Sequence, residues 1–221
     1  MDRLQGLYLL EQFVFNKYYT LLDSTPEFRP EIRQLGELME RGVQIVYLIV
    51  TLLSYTEPEF INIIRISTNN VHIFRALISR SNITYSVIEY TEDEFEKGDI
   101  TAVYRLVEQK LEEYTALVKI IIYSNSIVTT QKISSILDYY TYYRDIGNIT
   151  VKDEIRKAWK STNRRIIIAT NVFGLDINQS DIRVIIHIRP IYQIRNYNQE
   201  SGRAGRDGKR SETIILISVR R

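Results

Sequence analysis

The chain contains no cysteine, and only two histidines and one tryptophan stand among its 221 residues. Without thiols there are no disulfides, thiolate zinc sites or cysteine-held iron–sulfur clusters, and the redox compartment leaves no mark on the sequence. His72 is isolated, and His187 lies in the apolar run from Val184 to Ile188, where a satisfied core side chain suits it better than a ligand role. No metal-ligating set is therefore expected. Glycine and proline are too few for a repetitive or low-complexity chain. Neither charge dominates: 29 basic against 27 acidic residues leave +2, so any nucleic-acid groove has to be local. The longest apolar stretch, 43–53, is interrupted by Gln44 and falls far short of the roughly 20 residues that span a bilayer. No secretory leader is evident at the N-terminus, so neither secretion nor a membrane partner is expected.

What is present has the 44% hydrophobic content of a globular domain and a regular alternation of patterns. Ile32, Leu35, Leu38 and Met39 at helical spacing, between Pro30 and Gly42, predict a helix over 31–41. Strands are expected at 43–48, 82–90, 119–123, 165–169, 183–188 and 213–219, with 12–15 also strand-like. Helices are expected at 101–114, 129–138 and 151–160, the last with Val151, Ile155, Ala158 and Trp159 inward, and a loop at 91–99. The tyrosines at 139–143 suit a packed strand better than a base-stacking platform. Alternating strands and helices predict an α/β fold, a parallel sheet with helices on both faces.

Arg203 and Arg206 stand three apart, so on a helical turn both guanidinium groups project from one face, and Gly202, Ala204 and Gly205 let that turn approach another surface closely. Such a fork suits the charge on a transferring phosphoryl group. The run from Tyr197 to Gly208, with Gln199-Glu200-Ser201-Gly202-Arg203-Ala204-Gly205-Arg206-Asp207-Gly208 at its centre, resembles motif VI of superfamily 2 helicases and the RecQ family in particular. The likeness continues upstream. Tyr123-Ser124-Asn125-Ser126 resembles motif IV, 168–183 resembles motif V, Tyr47 to Ser54 resembles motif III, and Asn16-Lys17-Tyr18-Tyr19 stands where the family has Asp-Glu-Cys-His.

The resemblance implies a RecA-like second lobe at 81–221 with motifs IV, V and VI, preceded at 1–80 by the C-terminal remnant of a first lobe. It implies ATP-driven 3′-to-5′ unwinding of DNA, with ATP and Mg²⁺ as cofactors. Arg206 would be the arginine finger, with Arg203 beside it and Gln199 sensing nucleotide. Ser124, Asn125, Thr170 and Asn171 would contact nucleic acid, and Asn16, Lys17 and Asn178 would be vestigial ATP-site positions. The implied location is nuclear in a eukaryote and cytoplasmic otherwise.

The departures from the family pattern point away from catalysis. An amide at position 16 is a poor partner for Mg²⁺, an ammonium at 17 repels it, and neither is a general base at neutral pH. Asp176, Asn178 and Ser180 replace the second Gly, the Asp and the Pro of motif V, and Ile49-Val50-Thr51 replaces Thr-Ala-Thr in motif III. No Gly-x-x-x-x-Gly-Lys-Ser/Thr loop occurs in the chain, and in the family it precedes motif II. Each of these replacements needs only one cytosine-to-thymine change on one strand or the other. That pattern, with sixteen tyrosines and no cysteine, resembles a decayed copy of the telomere-linked RecQ-type genes of filamentous fungi. The expectation is a truncated helicase, inactive alone and not binding its cofactors productively. The alternatives are a non-catalytic module that grips the DNA backbone, or an unstable product with uncovered strand edges.

Overall fold

Runs of isoleucine and valine are stiff at χ1 and pack well on a pleated surface, and they supply the strands here. The computed structural model describes residues 12–16, 44–49, 52, 54–64, 67–76, 80–91, 98–114, 118–161, 164–175, 177, 179–188, 191 and 194–219. The chain divides into two compact units, Met1–Ser79 and Arg80–Arg221.

In the first unit, β1 (Gln12–Asn16) and β2 (Gln44–Leu48) pair in parallel, with Gln12 opposite Gln44 and Asn16 opposite Leu48. Helix α1 (Glu57–Ile63) buries Phe60, with Ile64 just beyond it, against Phe15, Tyr47, Ile49 and Leu52. The helix expected at 31–41 lies outside the described residues.

The second unit is built on a six-stranded sheet in which every pairing is parallel. Its strands are β3 (Ile83–Thr91), β4 (Lys119–Ser124), β5 (Tyr140–Tyr142), β6 (Ile166–Ala169), β7 (Ile182–Ile188) and β8 (Ser211–Val219), in the order β3-β8-β7-β4-β6-β5. Among the described residues four α-helices accompany them: α2 (Gly98–Glu113), α3 (Ile127–Leu137), α4 (Ile149–Lys160) and α5 (Ile194–Ser201).

The two-residue period of the strands divides the core. Ile120 and Ile122 of β4, with Ile166 and Ile168 of β6, face α2 and α3, where Val103, Val107 and Ile133 meet them. Ile121, Tyr123, Ile167 and Ala169 face the opposite way, toward Trp159 of α4 and Ala204 just beyond α5. The central strands are therefore covered on both faces, which explains why they read as unbroken apolar runs, whereas the edge strand β3 is exposed from Thr84 to Glu89. One irregularity matters later. Register slips where Lys119 pairs with Ile182 but Ile120 with Val184, so Arg183 is the extra residue of a bulge and is re-aimed.

In a parallel α/β unit the helix C-termini meet the strand starts, and cations occupy those junctions here. Lys119 Nζ donates to the carbonyls of Ser161 (2.5 Å) and Arg164 (3.3 Å) at the end of α4. Arg165 Nε donates to Val118 (3.1 Å) and its Nη2 to Tyr114 (3.4 Å) beyond α2. Arg80 does the same beyond α5. Each offsets the negative end of a helix dipole and donates to carbonyls at or beyond the helix end.

Several boundaries differ from the sequence expectation, and hydrogen bonds explain most of them. Ser126 accepts from the Thr129 amide (3.4 Å) and Asn148 from the Val151 amide (3.0 Å), so α3 and α4 each start two residues early. Val151 then falls in the first turn of α4 and is 37% exposed, leaving Trp159 as the fully buried anchor. Helix α2 starts at Gly98, inside the stretch read as a loop. Strand β8 starts at Ser211, where the Ser211 amide donates to the Asn82 carbonyl (2.9 Å) and Glu212 pairs with Lys110 Nζ (2.6 Å).

Candidate functional site

The arginine turn follows α5 directly. Its backbone is fastened at the amino ends of β7, β8 and β3. The Gly205 amide donates to the Ile182 carbonyl (2.8 Å), and Asn82 Nδ2 donates to the carbonyls of Gly205 (2.8 Å) and Lys209 (2.9 Å). Arg80 Nη1 donates to Gly202 (3.2 Å) and Ala204 (3.0 Å), and its Nη2 to Gly205. Arg183, re-aimed by the bulge, pairs with Asp207 at 2.5 Å. Gly205 has φ +55°, and a Cβ there would lie 2.5 Å from both Asn82 Nδ2 and Ser211 Oγ. Only glycine satisfies both that backbone angle and that approach.

The side chains return across the sheet. Tyr123, near the carboxyl end of β4, is buried beside Arg203, and burial raises its phenol pKa well above the ordinary value while the two arginines oppose that rise. For Arg206, partial burial and then the charges of Arg203 and Arg80 lower the guanidinium pKa, with Tyr123 acting in the other direction. The group stays charged at any physiological pH. A crowded cation gains more from an incoming anion than an isolated one does. Arg203 Nε is buried without a hydrogen-bond acceptor among the described residues, although the Arg203 side chain interacts with the Tyr123 hydroxyl. Gln199 is half-buried in the last turn of α5.

Beneath the turn, His187 stacks on Tyr123 (5.5 Å between ring centroids) and meets Tyr197 (5.0 Å). Its Nδ1 lies 3.3 Å from Glu200, while Nε2 is buried without a hydrogen-bond partner among the described residues. His187 is thus a core residue, satisfied at one nitrogen.

The four residues expected to touch nucleic acid lie together. Tyr123 pairs with Ala169, so Ser124 and Asn125 leave the carboxyl end of β4 beside Thr170 and Asn171 leaving β6. The Ser124 hydroxyl is buried and committed locally, donating to the Ser126 carbonyl and accepting from its amide (both 3.3 Å). Thr170 is buried, whereas Asn125 and Asn171 are exposed. The exposed amides, and not the hydroxyls, are the accessible groups of this edge. Asn16 ends β1 opposite Leu48; its side chain, Lys17, Asp176 and Asn178 lie outside the described residues.

Sequence reasoning singled out Arg203, Arg206 and Gln199 but missed Arg80, Asn82 and Arg183, which hold the turn. Arg80 and Asn82 carry no periodic signal, and their only mark is an Arg-x-Asn spacing ahead of a strand. Arg183 needed the bulge to be known. Among the described residues no group of three or more His, Asp or Glu could hold a metal ion, and no helix is long and apolar enough to cross a membrane.

Comparison with known proteins points to helicases. The profile of the helicase conserved C-terminal domain matches residues 99–208. The ATP-dependent DNA helicase Q-like 4B of Arabidopsis thaliana is 29% identical over 222 residues, covering 99% of this chain and 18% of that protein. The ATP-dependent DNA helicase hus2/rqh1 of Schizosaccharomyces pombe is 27% identical over 228 residues, covering 98% of this chain and 16% of that protein. The chain thus spans less than a fifth of the length of either relative. Among solved structures, S. cerevisiae Dbp5 bound to RNA and ADP BeF3 superposes with a TM-score of 0.72 at 14% identity, over 98% of this chain and 57% of that one. At that identity the likeness concerns the fold.

Proposed function

We propose, for a chain that belongs to the RecQ-type DNA helicases, that it supplies the phosphate-sensing second lobe of an ATP-driven, 3′-to-5′ DNA-unwinding machine and does not hydrolyse ATP by itself. The observation that carries this reading is the arginine turn: two guanidinium groups on a backbone fastened from β3, β7 and β8, one of them with a buried Nε that has no acceptor among the described residues. Arg206 offsets the negative charge developing on a transferred phosphoryl group, Arg203 binds beside it, and Gln199 reports nucleotide from the last turn of α5. The DNA backbone is the partner of Asn125 and Asn171, with Ser124 and Thr170 shaping the edge beneath them. The place of work is the nucleus in a eukaryote and the cytoplasm otherwise.

Mg²⁺ does not fit the residues at the motif II positions. Asn16 offers one neutral oxygen, and Lys17 offers a cation in place of a second carboxylate. No step is therefore derived through the metal. The same two residues leave no base for the attacking water, which is why the 221-residue chain is inactive alone in this reading.

Binding to single-stranded DNA without nucleotide tests the retained half of the function. Each phosphate that a cationic side chain neutralises on a single strand adds roughly −0.7 to the slope of log affinity against log salt, whereas contacts from the Asn125 and Asn171 amides add none. The Asn125→Ala/Asn171→Ala double variant should weaken binding without changing the fold. Absence of binding at low salt would remove DNA from the account.

A further inference from the structure

Arg80 is the first residue of the second unit and is distant in sequence from every motif that identified the family. Its guanidinium is half-buried and, among the described residues, pairs with no carboxylate. It lies among three carbonyls of the turn that follows α5, those of Gly202, Ala204 and Gly205, the last of which also accepts from the Gly208 amide (3.0 Å). Asn82, two residues on, takes the Gly205 carbonyl again and reaches Lys209, while its own carbonyl accepts from the Ser211 amide. One short stretch, 80–82, thus grips the turn from Gly202 to Ser211 at both ends.

We infer that Arg80 is a positioning residue for Arg203 and Arg206: it fixes the backbone from which both guanidinium groups project, and it ties that backbone to the point where the chain enters the second unit. Three features favour this over a generic stabilising contact. The five N–H groups of a guanidinium form a planar fork, and that fork is what three closely spaced carbonyls require; an ammonium cannot reproduce it. The acceptors all belong to the turn, none to the sheet, so the bond energy is spent on the turn's geometry. Finally, Arg80 brings a third positive charge to a place that already holds two, a local cost that only makes sense where the turn's position or its charge is used.

The assignment of a task to the turn rests on the proposed phosphate-sensing role, but the test does not use nucleotide, so the two can fail separately. Amide hydrogen exchange is followed in the 221-residue chain and in Arg80→Ala and Arg80→Lys, at Gly205, whose amide donates to Ile182, and at Ile121 in the core of β4. The expected result is that Arg80→Ala speeds exchange at Gly205 by roughly tenfold or more, leaves Ile121 unchanged, and is rescued only in part by Arg80→Lys. Trypsin cleavage after Arg203 and Arg206 should accelerate in the same order. Unchanged Gly205 exchange in Arg80→Ala would overturn the inference. So would equal loss of protection at Gly205 and Ile121 in both variants, because Arg80 would then support the whole unit and not the turn.

Discussion

Replacing Gly205 with alanine should destabilise the second unit far more than the same change three residues later. At Gly205 the backbone has φ +55°, which costs a residue bearing a Cβ about 1–2 kcal/mol. The new methyl would also lie 2.5 Å from Asn82 Nδ2 and Ser211 Oγ and 2.7 Å from the Lys209 carbonyl. Relief requires Asn82 to withdraw, losing its bonds to Gly205 and Lys209, each worth about 1 kcal/mol. The sum is about 3–4 kcal/mol, a fall of roughly 10 °C in Tm for a unit of this size. Gly208 has φ +81° but open space around its missing side chain, so Gly208→Ala carries only the backbone cost of about 1–2 kcal/mol. Trp159, the single tryptophan, is fully buried in this unit, so its fluorescence in a urea titration reports the unit directly. Equal losses in the two variants would refute the argument that the turn is locked at Gly205.

The buried pair Lys110–Glu212 (2.6 Å) joins α2 to β8, so Lys110→Met should cost about 3 kcal/mol by leaving the Glu212 carboxylate with the Tyr114 hydroxyl (2.9 Å) but without its cation, and Lys110→Met/Glu212→Leu should regain most of it in the same titration. Burial alone would lower the Lys110 pKa, but hydrogen bonds to Glu113 and Glu212 outweigh it and raise the value. Its contribution is therefore complete below the unfolded lysine pKa of about 10.4 and is lost as pH rises through the higher folded value. At the acid end, Glu113 is depressed chiefly by its hydrogen bond with Lys110. Asp207 is raised by burial but depressed overall by Arg183 and the Lys209 amide. Those contributions are present above about pH 4 and disappear as pH falls through the lower folded values. Stability against pH should therefore show a plateau with both edges blunted in Lys110→Met and the acid edge alone blunted in Asp207→Asn.

Much of the second unit was legible because a parallel sheet covered on both faces demands continuous apolar strands, and Ile120–Ile122, Ile166–Ile168 and Val184–Ile186 supply them. Polar residues hid what was missed. Ser211 and Glu212 are buried at the start of β8 through partners on other elements, and Ser126 and Asn148 begin helices by capping and not by periodicity. At the site, the arginines were visible because their spacing with glycine is distinctive. Their supports were not, since Arg80 and Asn82 act across more than 120 residues of sequence. The Tyr140–Tyr142 strand packs at the sheet edge, with Tyr142 against Phe173, as ordinary packing suggested.

The central claim is that a phosphate-sensing turn is fully built here while the residues that would drive ATP chemistry are not. DNA-stimulated ATPase activity of the purified 221-residue chain tests it most directly. The account predicts no turnover above background, in the chain itself and equally in Arg206→Ala. Turnover that rises with DNA and disappears in Arg206→Ala would contradict it, because the turn would then be firing against a phosphate site that Asn16 and Lys17 argue against.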